Sequence, residues 1–344
     1  MRSPLERVSE DTISDVVAGG WGVRLAGLRY LPVGGGAYHW VADGHDGRRW
    51  FVTCDDLDTK PWLGADREAV FDGLLAAYGA AVDLRAAGLT FVAAPVITTD
   101  GAVAVRVDER HSVAVFEHVD GEAGEWGRAA PDRELVGMLA RPHACTTAGC
   151  GLVVRGLDVP GRAAFEEALD ALDRPWDGGP LSEAVRGELA RERGSITRWL
   201  AELDRLAVAL GGMDDGMVVT HGEPHPLNLI RTSAGLTLVD WDTVALARPE
   251  RDLWMIAGMG DGSGSLVALY RELTGSVLDP EVLVAYGRLW ALTDLAASTH
   301  RLRHEHRPGA DADRALAAVR SILAGREPAP YGVPPLGQAG DAGA

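Results

Sequence analysis

The chain is poor in lysine, in cysteine and in long apolar runs. Lys60 is the only lysine in 344 residues, and every other cationic residue apart from His is Arg. Cys54, Cys145 and Cys150 are an odd, sparse set. They exclude a disulfide frame and suit reduced thiols in a cytoplasmic protein. Cys145 and Cys150 have no second pair, which excludes a zinc knuckle. The sequence has no run of 18 apolar residues and no N-terminal apolar core, so neither a membrane span nor secretion is expected. Basic residues are outnumbered 33 to 50, and the formal net charge is −17. Nucleic acid asks for a basic face and is not expected as a partner. On charge alone the acidic balance is foremost that of a plainly acidic surface; it is also compatible with a cationic small molecule drawn to an acidic cleft.

What is present suffices for two lobes. The length exceeds one ordinary domain, and 47% hydrophobic residues can bury a sizeable core. Residues 6–18 read as a helix ending at Gly19-Gly20. Strands follow at 28–33, 38–42 and 49–53, joined by Gly34-Gly35-Gly36 and then by a tight turn at Gly44-His45-Asp46-Gly47. Val70, Leu74, Leu75, Tyr78 and Val82 share one stripe of a helix over 65–86. Further strands are expected at 90–98, 102–107 and 111–119. The pattern breaks at Gly121-Glu122-Ala123-Gly124-Glu125. Helices dominate beyond it, over 132–147 with a kink or stop before Pro142, and over 161–172, 181–210, 250–259, 262–274, 280–303 and 310–324. This division gives lobes at 1–120 and 121–327, with a loose Pro-, Gly- and Ala-rich tail at 328–344.

The most informative stretch is 217–243. Apolar runs at 217–220, 227–232 and 236–239 read as strands, and Ser233-Ala234-Gly235 is the turn between the last two. The loop from His221 to Pro226 cannot be helical, because Pro224 and Pro226 remove donors and clash with a helical turn. The hairpin brings Glu223 and Asn228 close to Asp240 and Asp242. Carboxylate and amide oxygens of this kind hold Mg²⁺ on phosphates, and one carboxylate can take the proton of an attacking hydroxyl. A zinc-protease reading of His221 and His225 fails. Gly222 separates the first His from the Glu, and Pro224 forbids the helix that would align the imidazoles.

His221-Gly222-Glu223 followed by Asn228, and then Val239-Asp240-Trp241-Asp242, resembles the catalytic and metal-binding loops of the aminoglycoside phosphotransferase family of kinase-like enzymes. Pro249-Glu250-Arg251-Asp252-Leu253-Trp254 is similar to the opening of that family's next helix, and the whole is most similar to its actinobacterial, spectinomycin-phosphotransferase-like branch. The resemblance implies an α+β, two-lobe protein-kinase-like fold, with a small antiparallel-sheet N-lobe and a larger, mainly helical C-lobe. It implies transfer of the γ-phosphate of ATP or GTP, with Mg²⁺, to a hydroxyl of a cationic aminoglycoside- or aminocyclitol-like acceptor. It makes Glu223 the proton acceptor, Asn228 and Asp240 the metal ligands, and Asp242 an assisting ligand. Gly34, Gly35 and Gly36 become the flap over the nucleotide phosphates, and Glu117 and Val119 the hinge that holds adenine. His221 would tie its loop to the segment after the hairpin.

Two positions depart from the family pattern. Glu223 stands where the family has Asp, and Thr53 stands where a third-strand Lys is expected. Lys60 is a candidate replacement seven residues on, weighed against an ordinary solvated lysine; Arg48 and Arg49 are others. Glu68 is the candidate acidic partner for such a cation. With these departures, a protein that binds a nucleotide or small ligand without turnover is the second reading. Trp254, Tyr286, Trp290 and Asp294 are candidates for the acceptor pocket, against a simple packing role.

Overall fold

The computed structural model describes residues 1, 4–5, 7–125, 132–145, 151–209, 216–257 and 263–325. Along the chain run α1 (Glu10–Trp21), β1 (Leu25–Leu31), β2 (Ala37–Gly44), β3 (Arg49–Asp56), α2 (Arg67–Ala86), β4 (Val105–Arg106), β5 (His111–Glu117) and β6 (Glu122–Ala123). Then come α3 (Asp132–His143), α4 (Arg162–Asp170), α5 (Ser182–Ala209), β7 (Val218–Thr220), β8 (Leu229–Thr232), β9 (Gly235–Leu238) and β10 (Ala245–Ala247). The chain continues through α6 (Glu250–Ala257), α7 (Ser263–Thr274), α8 (Pro280–Arg303) and α9 (Ala310–Leu323). These elements make the α+β, two-lobe architecture expected from the sequence.

Two compact units interleave along the chain. The first takes Met1–Ala130, Arg141–Val154 and Val218–Leu246, and the second takes Pro131–Ala140, Arg155–Met217 and Ala247–Ala344. This differs from a single cut after residue 120, and the reason lies in backbone bonding. The β8–β9 hairpin is tied to the first unit by Leu238 N–H on Phe91 O at 2.8 Å and by Ala93 N–H on Leu238 O at 3.0 Å. Glu122 and Ala123 also pair with Arg231 and Ile230. The same bonds explain why 90–98 is not the expected strand. Its partners are divided between β9, through Val92, and β5, through Pro95, and a proline has no N–H for a ladder.

The first unit is built on an antiparallel sheet in the order β1-β2-β3-β5-β4. Ser9 caps α1 by accepting from Thr12 N–H, and Gly22 ends it in the left-handed region at φ 66°. One sheet face carries Trp40, Trp50, Val52, Val113 and Val115 and is covered by Ile13, Val17 and Trp21 of α1. On the other face α2 packs Val70, Leu74 and Tyr78 against Leu57, Leu63 and Ala114. Burying a side chain such as Leu74 contributes roughly 1.5–3 kcal/mol. With both faces covered, β3 is buried from Val52 to Asp56, polar residues included.

The second unit is mainly helical. Its core joins Phe165 and Leu169 of α4, Leu189 and Ile196 of α5, Leu292 and Leu295 of α8, and Val319 and Ile322 of α9. Asp279 caps α8 by accepting from Glu281 N–H, with Pro280 in the first turn. Trp254 and Tyr286 belong to this core, and Trp290 packs against it. α3 runs through Pro142 to His143 and does not stop at Arg141. Turn bonds from Ala144 N–H to Arg141 O and from Cys145 N–H to Pro142 O close that end. The expected tail at 328–344 lies outside the described residues.

Candidate active site

β7 delivers the chain into a loop fixed by His221. Its Nε2 donates to Val239 O at 3.0 Å, and its Nδ1 accepts from Glu223 N–H at 3.2 Å. A carbonyl can only accept and an amide N–H can only donate, so these partners fix the neutral Nε2–H imidazole. The buried ring meets Trp241 edge-on with centroids 4.7 Å apart. The Thr243 hydroxyl donates to His221 O at 2.7 Å. His221 thus ties its loop to residues on both sides of Asp240. Asn228 Nδ2 donates to Glu223 O at 3.0 Å, and His225 N–H donates to the same carbonyl at 2.8 Å. With the Asn228 nitrogen used inside the loop, Oδ1 is the atom suited to a hard cation.

Asp240 is the one non-glycine residue with positive φ among the described residues, at φ 68° and ψ 62°. Such a conformation costs roughly 1–3 kcal/mol and persists only where the surroundings impose it. Trp241 supplies that constraint: it is fully buried, and its Nε1–H donates to Leu238 O at 2.7 Å. The kink turns the chain from β9 into a short 3₁₀ turn, Trp241–Thr243, against which α2 packs. The Asp240 carboxyl lies beside those of Asp242 and Glu223 and feels their negative charge. Crowding by the surrounding protein, and then the negative charges of Asp242 and Glu223, push it above the usual carboxylate range, although the residue itself is open to solvent.

Lys60 arrives from the opposite side of the same unit. After β3 a 3₁₀ turn, Leu57–Thr59, reverses the chain. Asp56 fixes that turn by accepting from Asp58 N–H and from both Nε and Nη2 of Arg110, at 2.7 and 2.6 Å. The Thr59 hydroxyl donates to Gly36 O at 3.0 Å. The Lys60 side chain is 1% exposed, so the solvated-lysine reading is overturned. Its Nζ donates to Asp242 Oδ2 and lies 3.0 Å from Asp55 Oδ1, while Tyr78 OH donates to Asp55 Oδ2 at 3.0 Å. Burial alone would lower the ammonium, but Asp242 and Asp55 outweigh it and hold Lys60 above its ordinary range.

The glycine connection lies over this ammonium. A Cβ added to Gly36 would stand 3.7 Å from Lys60 Nζ, and Gly34 has φ 71°. Thr53 is buried on β3 with its hydroxyl 3.2 Å from His39 Nδ1. Glu68 is not the partner of Lys60, because its carboxylate pairs with Arg106 at 2.7 Å. Arg48 and Arg49 are exposed and pair with Glu117 and Asp120. Glu117 ends β5, paired with Trp50, and Val119 follows just beyond the ladder. Sequence reasoning missed Asp55 and Tyr78. The signal for Asp55 was alternation, which puts it on the Thr53 side of β3.

The donor set suits a divalent cation. Asp240 is crowded by Asp242 and Glu223, and Lys60 is the positive charge that offsets them. Carboxylates crowded together in this way are stabilised by a cation that offsets their charge. No cage of three or more His, Cys, Asp or Glu occurs among the described residues.

The sequence pattern of the phosphotransferase enzyme family matches residues 39–291. The chain belongs to that family. Curated proteins give no sequence match. Among solved structures, this phosphotransferase is similar to a spectinomycin phosphotransferase in complex with ADP and spectinomycin. The TM-score is 0.70 at 15% identity, over 92% of this chain and 95% of that one. It is also similar to an amicoumacin kinase solved with AMP-PNP and Ca²⁺, with TM-score 0.56 and 12% identity over 94% and 95% of the chains. A GDP and kanamycin complex of an APH(2″) protein has TM-score 0.56 and 12% identity over 92% and 98%. At these identities the likeness shows the protein-kinase-like fold.

Proposed function

We propose that this phosphotransferase moves the γ-phosphate of ATP or GTP to a hydroxyl of a small, cationic acceptor of the aminoglycoside or aminocyclitol kind. The observation that carries the reading is the meeting of Glu223, Asn228, Asp240 and Asp242 with the buried ammonium of Lys60 inside one compact unit. Asn228 Oδ1 and the Asp240 carboxylate would hold Mg²⁺, with Asp242 assisting. When bound, the metal would neutralise charge on the transferred group. Lys60 faces the β- and γ-phosphates, and Gly34, Gly35 and Gly36 cover them with backbone N–H groups. Thr53 lines the same side of β3. Beyond β5, the backbone of Glu117 and Val119 holds the base. Glu223 accepts the proton of the acceptor hydroxyl, its backbone fixed by His221 and Asn228.

The nucleotides and Ca²⁺ in the similar structures support the cofactor assignment, and spectinomycin and kanamycin support a small acceptor. The net charge of −17 supports a cationic one. The sparse, odd cysteines support a cytoplasmic setting.

The test is radiolabelled transfer from ATP and from GTP, with Mg²⁺, to a panel of aminoglycosides and aminocyclitols. Transfer to at least one is expected, and Glu223→Gln should lower kcat by about 10²–10⁴-fold. Transfer that survives both Glu223→Ala and Asp240→Ala overturns the assigned roles. Nucleotide binding without transfer to any acceptor would favour the binding protein over the enzyme.

A further inference from the structure

The Lys60 ammonium has two acidic neighbours of different character. Asp242 accepts its hydrogen bond and sits in the turn that carries the proposed metal ligands. Asp55 is on β3, 1% exposed, with Oδ2 held by Tyr78 of α2. Its Oδ1 is 3.0 Å from Nζ yet receives no aligned hydrogen bond. It is therefore charge-paired with Lys60 while keeping an open lone pair. If Asp240 and Asp242 hold a cation, Asp242 would have to share its carboxylate between that cation and Lys60. An ammonium that lost its only counter-charge in a buried site would be strongly destabilised. Asp55 removes that problem, since Nζ can turn to Oδ1 without leaving its place beneath Gly36.

We propose that Asp55, fixed by Tyr78, is a positioning residue that keeps Lys60 aimed at the nucleotide phosphates once Asp242 is drawn to the metal. The arrangement separates a permanent anchor from an exchangeable partner, and puts the anchor on β3 itself. The proposal rests on the nucleotide-binding reading of Lys60.

Because Lys60 is the only lysine, amine acylation followed by peptide mass spectrometry reports on one side chain. In the full chain without nucleotide, Lys60 should resist acylation. Asp55→Asn should speed it by roughly tenfold or more, the equivalent of about 1.4 kcal/mol, and Tyr78→Phe by less. Alkylation of Cys54, buried beside Asp55, should stay slow in both variants and so separates a loosened lysine from an unfolded strand. Tyr78→Phe removes one hydroxyl and keeps the ring, so it serves if Asp55→Asn does not fold. In calorimetry with Mg²⁺–ATP, Asp55→Asn and Lys60→Met should each weaken binding, and the double variant should bind no worse than Lys60→Met alone. Rapid acylation of wild-type Lys60, or losses that add in the double variant, overturns the proposal. Tight wild-type acylation protection without any nucleotide binding would overturn the nucleotide role of Lys60 and leave Asp55 as its structural partner only.

Discussion

His39 stacks on Phe51 with ring centroids 5.1 Å apart, and its imidazole is held down to about 3, chiefly by burial. An unfolded His takes its proton near 6.5. Between those values the unfolded chain binds more protons than the folded one. Stability is therefore fully present above pH 6.5 and falls as pH drops towards 3, by at most about 1.4 kcal/mol per pH unit. The ring keeps some surface exposure, so the slope should lie below that bound. His39→Gln is expected to flatten the loss of Tm between pH 6.5 and 4.5; an unchanged slope would show that His39 does not carry it. At this scale the acidic half of the site was legible in the sequence, since Glu223, Asn228, Asp240 and Asp242 lie within twenty residues of one another. The cationic half was not. Lys60 and Asp242 are 182 residues apart; alternation places Asp55 on the Thr53 side of β3, but nothing in the sequence pairs it or Tyr78 with Lys60.

The elements around the site are set by turns and caps that need particular residues. Gly34 combines φ 71° with a close approach: an added Cβ would stand 3.2 Å from His39 Nε2. Gly34→Ala should cost roughly 1–3 kcal/mol in urea unfolding and weaken nucleotide binding. Gly27, with nothing within 4 Å of an added Cβ, is the control; equal losses in the two variants would remove the special role of Gly34. α2, α8 and the β8–β9 hairpin follow closely from periodicity, prolines and turn residues. The strand expected at 90–98 does not form, because its backbone serves two different strands, and that division is a tertiary fact. β3 hides its buried acids for a related reason. With helices on both faces the end of β3 is buried on both sides, so alternation gives the side on which Asp55 lies but not that this acid is buried.

For the whole molecule, charge is the property that reaches furthest. At a net charge of −17, a cationic acceptor, as proposed, would be drawn in by a field that salt screens over about 10 Å at 0.1 M. The KM for a cationic acceptor should rise between 50 and 300 mM salt, while the nucleotide KM moves less; equal movement of both would point to general salt inhibition. The central claim is that Asp240 and its neighbours hold a metal on a bound nucleotide. Calorimetric titration of ATP and of GTP, with and without Mg²⁺, on wild type and on Asp240→Ala tests it most directly. The account predicts Mg²⁺-dependent binding of at least one nucleotide, strongly weakened in Asp240→Ala. Binding of neither nucleotide, or binding indifferent to both Mg²⁺ and Asp240, would contradict it.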